Sequence, residues 1–316
     1  MTLTQAITGY IQYIKVIKNY SNRTVLSYDE WLKVFVSYLD SQSITEFESI
    51  TIEHILSFQH YLSNKKYKGQ YLSVNTQALY IIVVKNLFTY YYRKTKTGID
   101  PIDIEIPKGK KRIIEFLTIE QVDAICKQIA QKGSRASKLI REKRDRAIIE
   151  VLYSTGLRVS ELCNLNKRDI NFDTKTFTVI GKGSKQRIVF ISDEALYYVK
   201  LYLAERIDQN PALFIIMFRT DRYTNNDPES IRIRPMTIRQ TVHDLGIKAQ
   251  IPFRVHPHML RHTFATDLLR SGASLDSLQK LLGHSQLTTT QIYSHVTDND
   301  LKETFNKYHT KRGITL

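Results

Sequence analysis

The stretch Val255-His256-Pro257-His258-Met259-Leu260-Arg261-His262 gathers imidazoles and a guanidinium around the start of a helix. Pro257 suits the first helical turn, because its φ is preset and its missing N–H is not needed there. His258 and Arg261 are then three residues apart on one face, while Met259 and Leu260 point elsewhere. A His and an Arg beside a helix N-terminus make an anion site, since the terminal N–H groups and the helix dipole favour negative charge. The planar fork of Arg grips two oxygens of one phosphate. Alone, the stretch reads better as a surface His–Arg pair, so its weight comes from its surroundings.

Downstream, Leu281-Leu282-Gly283-His284 ends a helix that begins after Ser274; Gly283 permits a left-handed turn and throws His284 out of the helix. Tyr293 follows in Thr288-Thr289-Thr290-Gln291-Ile292-Tyr293. The chain has 19 tyrosines, most of them core material, and only its neighbours single this one out. Upstream, Tyr153-Ser154-Thr155-Gly156-Leu157-Arg158 sets an Arg directly after a Gly turn, and Glu161 one turn later is placed to orient it. Between Phe177-Thr178-Val179-Ile180 and Ile188-Val189-Phe190, two β-rich runs, Gly181-Lys182-Gly183-Ser184 reads as a hairpin tip carrying an exposed Lys.

Two Arg, two His, one Lys and one Tyr suit metal-free cleavage of a phosphodiester. A tyrosine oxygen attacks phosphorus and becomes covalently attached. Arginines stabilise the charge that builds on the non-bridging oxygens. A Lys supplies the proton that the departing sugar oxygen needs, and a His helps the phenol, whose ordinary pKa is about 10, lose its own. The sequence shows no carboxylate cluster of the two-metal type, no glycine-rich phosphate loop and no Ser/His/Asp arrangement, so neither a metal nor a nucleotide cofactor is expected.

Charge agrees with a polyanionic partner. The 316 residues hold 46 basic and 31 acidic side chains, a net charge of +15. Residues 1–107 carry 11 basic and 9 acidic, and residues 108–316 carry 35 and 22, so the surplus sits in the second part. Hydrophobic content of 42% excludes a disordered chain. Cys126 and Cys163 lie in apolar helical patterns and read as small core residues. Neither a signal peptide nor an apolar run of membrane-spanning length is seen, and a cytoplasmic protein is expected.

The first part reads as four helices. Their stripes are Ile7, Tyr10, Ile11, Ile14 and Ile17; Tyr28, Leu32, Phe35, Val36 and Leu39 after the N-cap Ser21; Ile52, Ile55, Leu56, Phe58 and Leu62 after Thr51; and Leu79, Ile82, Val83, Leu87 and Phe88 within 74–91. Nearly all of these are assigned to the core. Asn64-Lys65-Lys66-Tyr67-Lys68-Gly69-Gln70 is a basic loop between the last two. Asp100-Pro101 to Lys108-Gly109-Lys110-Lys111-Arg112 marks a turn and a basic linker, with the domain boundary near 107. Then come a capping box from Thr118 to Gln121, a long helix from about Arg144 to Thr155, and further helices, for which Gly246, Gly272 and Gly283 are placed as ending residues. The fold class is mainly α with a small antiparallel sheet.

In order and spacing, Thr155-Gly156-Leu157-Arg158, Gly181-Lys182-Gly183, His258-Met259-Leu260-Arg261-His262, Leu282-Gly283-His284 and Gln291-Ile292-Tyr293 resemble the tyrosine recombinase (phage integrase) family, most closely its Xer-type members. The resemblance spans the whole chain. It implies an N-terminal four-helix core-binding (SAM-like) domain over 1–107 and a catalytic domain of the DNA breaking–rejoining fold over 108–316. It makes Arg158 and Arg261 the phosphate clamp, Lys182 the general acid, His258 an acid/base group, His284 a hydrogen-bond donor to the scissile phosphate and Tyr293 the nucleophile of a 3′-phosphotyrosyl intermediate. Glu161 resembles the acidic residue that supports the first Arg.

The implied partner is double-stranded DNA with an inverted-repeat site, gripped by a C-shaped clamp. Recombination then runs in a homo- or hetero-tetramer through a four-way junction, with a C-terminal helix (Leu301, Phe305 and Tyr308) docked on a neighbouring subunit. Lys65, Lys66, Lys68 and Lys108 to Arg112 are placed to touch phosphates, and Arg232, Arg234 and Arg239 are candidates for base readout. The role is Xer-like dimer resolution or integration and excision of a mobile element. With a bundle helix opening just after Met1, simple sites without accessory arms are expected. The alternatives are a type IB-like enzyme that nicks and reseals without recombining, and a non-catalytic DNA-binding regulator, which would be expected to have lost at least one of the six residues.

Overall fold

A computed structural model describes residues 1–109, 116–129, 136–181, 186–216 and 228–283. The chain divides into two compact units, Met1–Ile113 and Ile114–Leu316. The described residues are mainly helical, with two small two-stranded antiparallel sheets.

The first unit holds α1 (Leu3–Val16), α2 (Asn22–Ser41), α3 (Ile52–Asn64) and α4 (Val74–Thr95). Side-chain caps fix where they begin: Ser21 accepts from the Thr24 N–H at 3.3 Å and Ser73 from the Thr76 N–H at 3.2 Å. Their core is Ile7, Tyr10, Ile14, Leu32, Phe35, Leu39, Ile55, Phe58, Leu62, Ile81, Val84 and Leu87. Three stripe residues depart from the core assignment, with Ile17 69% exposed, Leu56 52% and Leu79 44%. Ile17 is already past the end of α1, and the other two sit at the edge of stripes wider than the face their helices bury.

The basic loop is a hairpin, β1 (Lys66–Tyr67) on β2 (Gln70–Tyr71). Lys68 (φ 51°) and Gly69 (φ 81°) both turn left-handed, the geometry that a two-residue hairpin demands. Its exposed tyrosines carry ammonium groups over their faces, Lys66 over Tyr71 at 4.8 Å and Lys68 over Tyr67 at 5.7 Å. The start of the linker is anchored on this unit. Lys85 donates to the Ile104 carbonyl at 2.9 Å, Gln59 to that of Glu105 at 2.8 Å, and Ile104 is buried.

The second unit holds α5 (Ile119–Lys127), α6 (Ala136–Thr155), α7 (Val159–Asn164), β3 (Thr176–Ile180), β4 (Gln186–Phe190), α8 (Asp193–Ala204), α9 (Pro235–Lys248), α10 (Pro257–Arg270) and α11 (Leu275–Leu282). The Thr118–Gln121 capping box is present, with bonds of 3.0 and 3.3 Å. α6 begins two turns before Arg144, in a polar segment (Ala-Ser-Lys-Leu-Ile-Arg-Glu-Lys) that gives no apolar stripe to read. One large core packs α5 to α10 with β3 and β4. A smaller one (Phe190, Phe264, Leu268, Leu278, Leu281 and Leu282) seats α11 over α10 and β4. Cys126 and Cys163 are buried, and burial pushes the Cys163 thiol up to about 12.

Gly246 does not end a helix. It lies inside α9, where a Cβ would stand 2.5 Å from Val255 Cγ2, so the glycine lets the following chain pack directly on the helix backbone. Gly272 and Gly283 do follow helices with positive φ. A Gly246→Ala variant gains up to about 1 kcal/mol of helix propensity and loses about 1–3 kcal/mol to overpacking. A net fall in the urea midpoint with an unchanged m-value is therefore expected; an unchanged or higher midpoint would show that Val255 gives way.

Candidate active site

The site is built where α6, α7, β4, α10 and α11 end or begin. α6 stops at Gly156, whose φ of 60° no side chain adopts easily and whose Cβ would lie 2.6 Å from Phe264 and 2.8 Å from Leu282. That turn delivers Arg158 to the N-cap of α7. Glu161 accepts the Arg158 backbone N–H on Oε2 and Arg158 Nη1 on Oε1, both at 2.9 Å. The Arg158 side chain keeps 35% exposure, whereas Glu161 keeps 6%.

Arg261 rises from α10 into the interior and is 3% exposed. Its Nη1 donates to the Gly156 carbonyl, and its Nη2 to the Leu282 carbonyl at 2.8 Å. One guanidinium thus fastens the turn before Arg158 to the end of α11. Burial and then Arg158 lower the Arg261 pKa to about 10, so it is still charged at neutral pH. Behind it, Tyr153 of α6 donates to Asp267 of α10 at 3.4 Å, both buried.

His258 and Arg261 do share the start of α10, but Arg261 is buried and His258 exposed. The His258 ring stands 4.7 Å, edge to face, from that of His262. Desolvation by the surrounding protein, and then His262, Arg261, His256 and Arg158, push the His258 pKa down to about 4. His262 is lowered as well, by burial first and then by Arg261. At neutral pH His258 is therefore an uncharged imidazole able to accept a proton. The unfolded chain, with His near 6.5, binds that proton first, so lowering the pH from about 6.5 towards 4 weakens folding. An NMR titration of the DNA-free protein, with His258→Gln for assignment, is expected to show no protonation of His258 between pH 8 and 5.5. A midpoint near 6.5 would contradict this environment.

Arg187 is a member of the site that the motif spacing did not reveal. It lies on β4 opposite Val179, on the side where Val179 and Val189 are buried. Its Nη1 and Nη2 donate to Glu161 Oε1 and Oε2 at 3.0 and 2.8 Å. The available signal was the alternation itself: a charge on the inward face of a strand needs a buried partner. Burial would raise the Glu161 pKa, but the bonds from Arg187 and from the Arg158 N–H outweigh it and hold the carboxyl below its ordinary value. Arg158 and Arg187 share the Glu161 carboxylate, Arg261 feels all three, and the imidazoles of His256 and His262 lie near His258 and Arg261, a cationic environment suited to an anion.

Lys182, His284 and Tyr293 lie outside the described residues, as do Lys110 to Arg112 and the C-terminal segment with Leu301, Phe305 and Tyr308. Of the base-readout candidates, Arg232 is occupied elsewhere. It donates to the Cys163 and Leu165 carbonyls at 3.1 Å, to Asn166 and to Glu229, and so closes the end of α7. Arg234 and Arg239 are exposed. Among the described residues no group of three His, Cys, Asp or Glu is arranged to hold a metal ion, and no helix is long and apolar enough to cross a membrane.

The model of the phage integrase family matches residues 115–300, and that of the phage integrase N-terminal SAM-like domain matches residues 7–95. The tyrosine recombinase XerC of Bacillus pumilus is 34% identical over 96% of this chain and 95% of its own. The chain belongs to the phage integrase family and is a tyrosine recombinase. Two solved structures share its fold. One is the Tn1549 transposon integrase in complex with circular intermediate DNA (TM-score 0.67, 20% identity, 96% of this chain and 98% of that one). The other is the XerH site-specific recombinase bound to its difH substrate (TM-score 0.64, 22% identity, 96% of this chain and 84% of that one). Within this family, the helical first unit falls on the SAM-like match and the arginine-rich site on the integrase match.

Proposed function

We propose that the protein is a DNA strand transferase that performs site-specific recombination, with residues 1–107 binding DNA and residues 108–316 carrying the chemistry. The observation that carries this reading is the convergence of Arg158 and Arg261, remote in sequence, on the uncharged His258, with Arg158 held by Glu161. Such a site favours a backbone phosphate and, more strongly, the charge that builds on it during substitution.

The Tyr293 oxygen attacks a backbone phosphorus, and the bond from phosphorus to the 5′ oxygen breaks. The phenol proton passes to His258, and Lys182 protonates the departing 5′ oxygen. Arg158 and Arg261 hold the non-bridging oxygens, with a hydrogen bond from His284. The products are a 3′-phosphotyrosyl link and a free 5′-hydroxyl. The link conserves the bond free energy, so attack by a 5′-hydroxyl from a second duplex needs no ATP.

Exchange in pairs requires four protomers on two inverted-repeat sites, joined through the C-terminal segment around Leu301, Phe305 and Tyr308. The lysine-bearing hairpin at 65–71, with Arg234 and Arg239, supplies contacts to duplex DNA. The activity is cytoplasmic, either chromosome-dimer resolution or movement of a mobile element.

The test uses two duplexes bearing different labels and an inverted repeat selected by the protein from a random pool. Recombinant duplexes and a four-way junction are expected without added nucleotide. Relaxation of supercoils with no exchange would make the protein a nicking–resealing enzyme instead.

A further inference from the structure

Arg158 shares its carboxylate partner with a second arginine, and that sharing determines how much of Arg158 is left for a substrate. Glu161 Oε1 accepts from Arg158 Nη1 and Arg187 Nη1; Oε2 accepts from the Arg158 backbone N–H and Arg187 Nη2. Both oxygens are thus taken, and the bidentate fork belongs to Arg187, the more buried arginine at 10% exposure against 35% for Arg158. An unshared Glu161 would be free to take the fork of Arg158, the geometry that arginine and carboxylate favour, and would turn that fork away from a phosphate. The stem of Arg187 is fixed as well. A Cβ on Gly283 would stand 2.8 Å from Arg187 Cδ, so the end of α11 rests directly on this side chain. Arg187 therefore joins β4, the start of α7 and the end of α11.

We propose that Arg187 is a positioning residue for strand cleavage: by occupying both oxygens of Glu161 it limits Arg158 to one side-chain bond with that carboxylate and leaves the rest of its guanidinium to the scissile phosphate. The inference rests on the strand-transfer reading, and it assigns Arg187 no contact with DNA. Removing Arg187 frees Glu161 to pair fully with Arg158, and the clamp is lost although every motif residue is present.

The experiment measures single-turnover covalent attachment to a nicked duplex carrying the selected site, with a natural phosphate or a neutral methylphosphonate at the cleavage position. On the natural phosphate, Arg187→Gln is expected to slow attachment about 10–100-fold, with the Kd for the duplex within about threefold of wild type. On the methylphosphonate, which carries no charge for Arg158 to hold, the penalty is expected to shrink below about threefold. Adding Glu161→Gln to Arg187→Gln is expected to restore part of the lost rate, because a neutral amide no longer draws the Arg158 fork from the phosphate; a further loss in the double variant would overturn the proposal.

Should Arg187→Gln fail to fold, Arg187→Lys, which keeps the charge and loses the fork, gives the same comparison. Equal penalties on the two substrates would make Arg187 a merely structural arginine, and a wild-type rate would make it dispensable; either overturns the proposal. Failure of the wild-type protein itself to attach to the nicked duplex would overturn the strand-transfer reading instead.

Discussion

Tyr293→Phe is expected to abolish covalent attachment to DNA, lowering its rate by at least about 10⁴-fold, as removal of a nucleophile does elsewhere. The substitution removes one oxygen, keeps the ring and leaves the net charge of the chain unchanged. Binding to the selected duplex is expected to stay within about twofold of wild type, since affinity for DNA comes mainly from phosphate contacts spread over the protein. The two halves of the prediction are read on one sample, adduct by denaturing gel and binding by mobility shift. An adduct of normal yield would remove Tyr293 from the chemistry, and loss of both properties together would point to a folding defect.

Arg261→Ala is expected to lose both catalysis and stability, for separable reasons. The guanidinium is buried and satisfies the carbonyls of Gly156 and Leu282. Its removal leaves two buried acceptors unpaired, at about 1–3 kcal/mol each, together with a cavity. It also removes one of the charges facing the phosphate, for which a cleavage loss of about 10²–10³-fold is expected. Arg261→Lys separates the two: the charge stays and the fork is lost, so the unfolding midpoint recovers in part while cleavage remains well below wild type. The comparison is made below the melting temperature of the weakest variant. Full cleavage by Arg261→Lys would show that charge alone is needed there.

Much of this was legible in the chain. Ser21, Thr118, Pro257 and Gly283 mark element ends by local chemistry, which tertiary packing rarely overrides, and each does so in the structure. The turn at Gly156 and the pairing of Arg158 with Glu161 are likewise local, within a few residues. What escaped is either silent in its local pattern or has long-range causes. The start of α6 is polar and carries no stripe. Gly246 resembles a helix terminator until Val255, nine positions on, comes back to pack against it. Arg232 resembles a surface arginine until the end of α7 presents it with carbonyls from Cys163 and Leu165. Arg187 resembles any charged residue of a hairpin until β4 brings it to Glu161, twenty-six positions back along the chain. Motif residues announce chemistry by their type and order, whereas the groups that hold them are specified only by the fold.

The central claim is a covalent bond between one phenol oxygen and a DNA 3′-phosphate. The most direct measurement traps the protein on a nicked duplex, digests the adduct with protease and nuclease, and locates the modified residue by mass spectrometry. The result predicted is a nucleotide joined through its 3′-phosphate to Tyr293, with a free 5′-hydroxyl on the complementary product. A nucleotide on any other side chain, or one joined through a 5′-phosphate, would contradict the account.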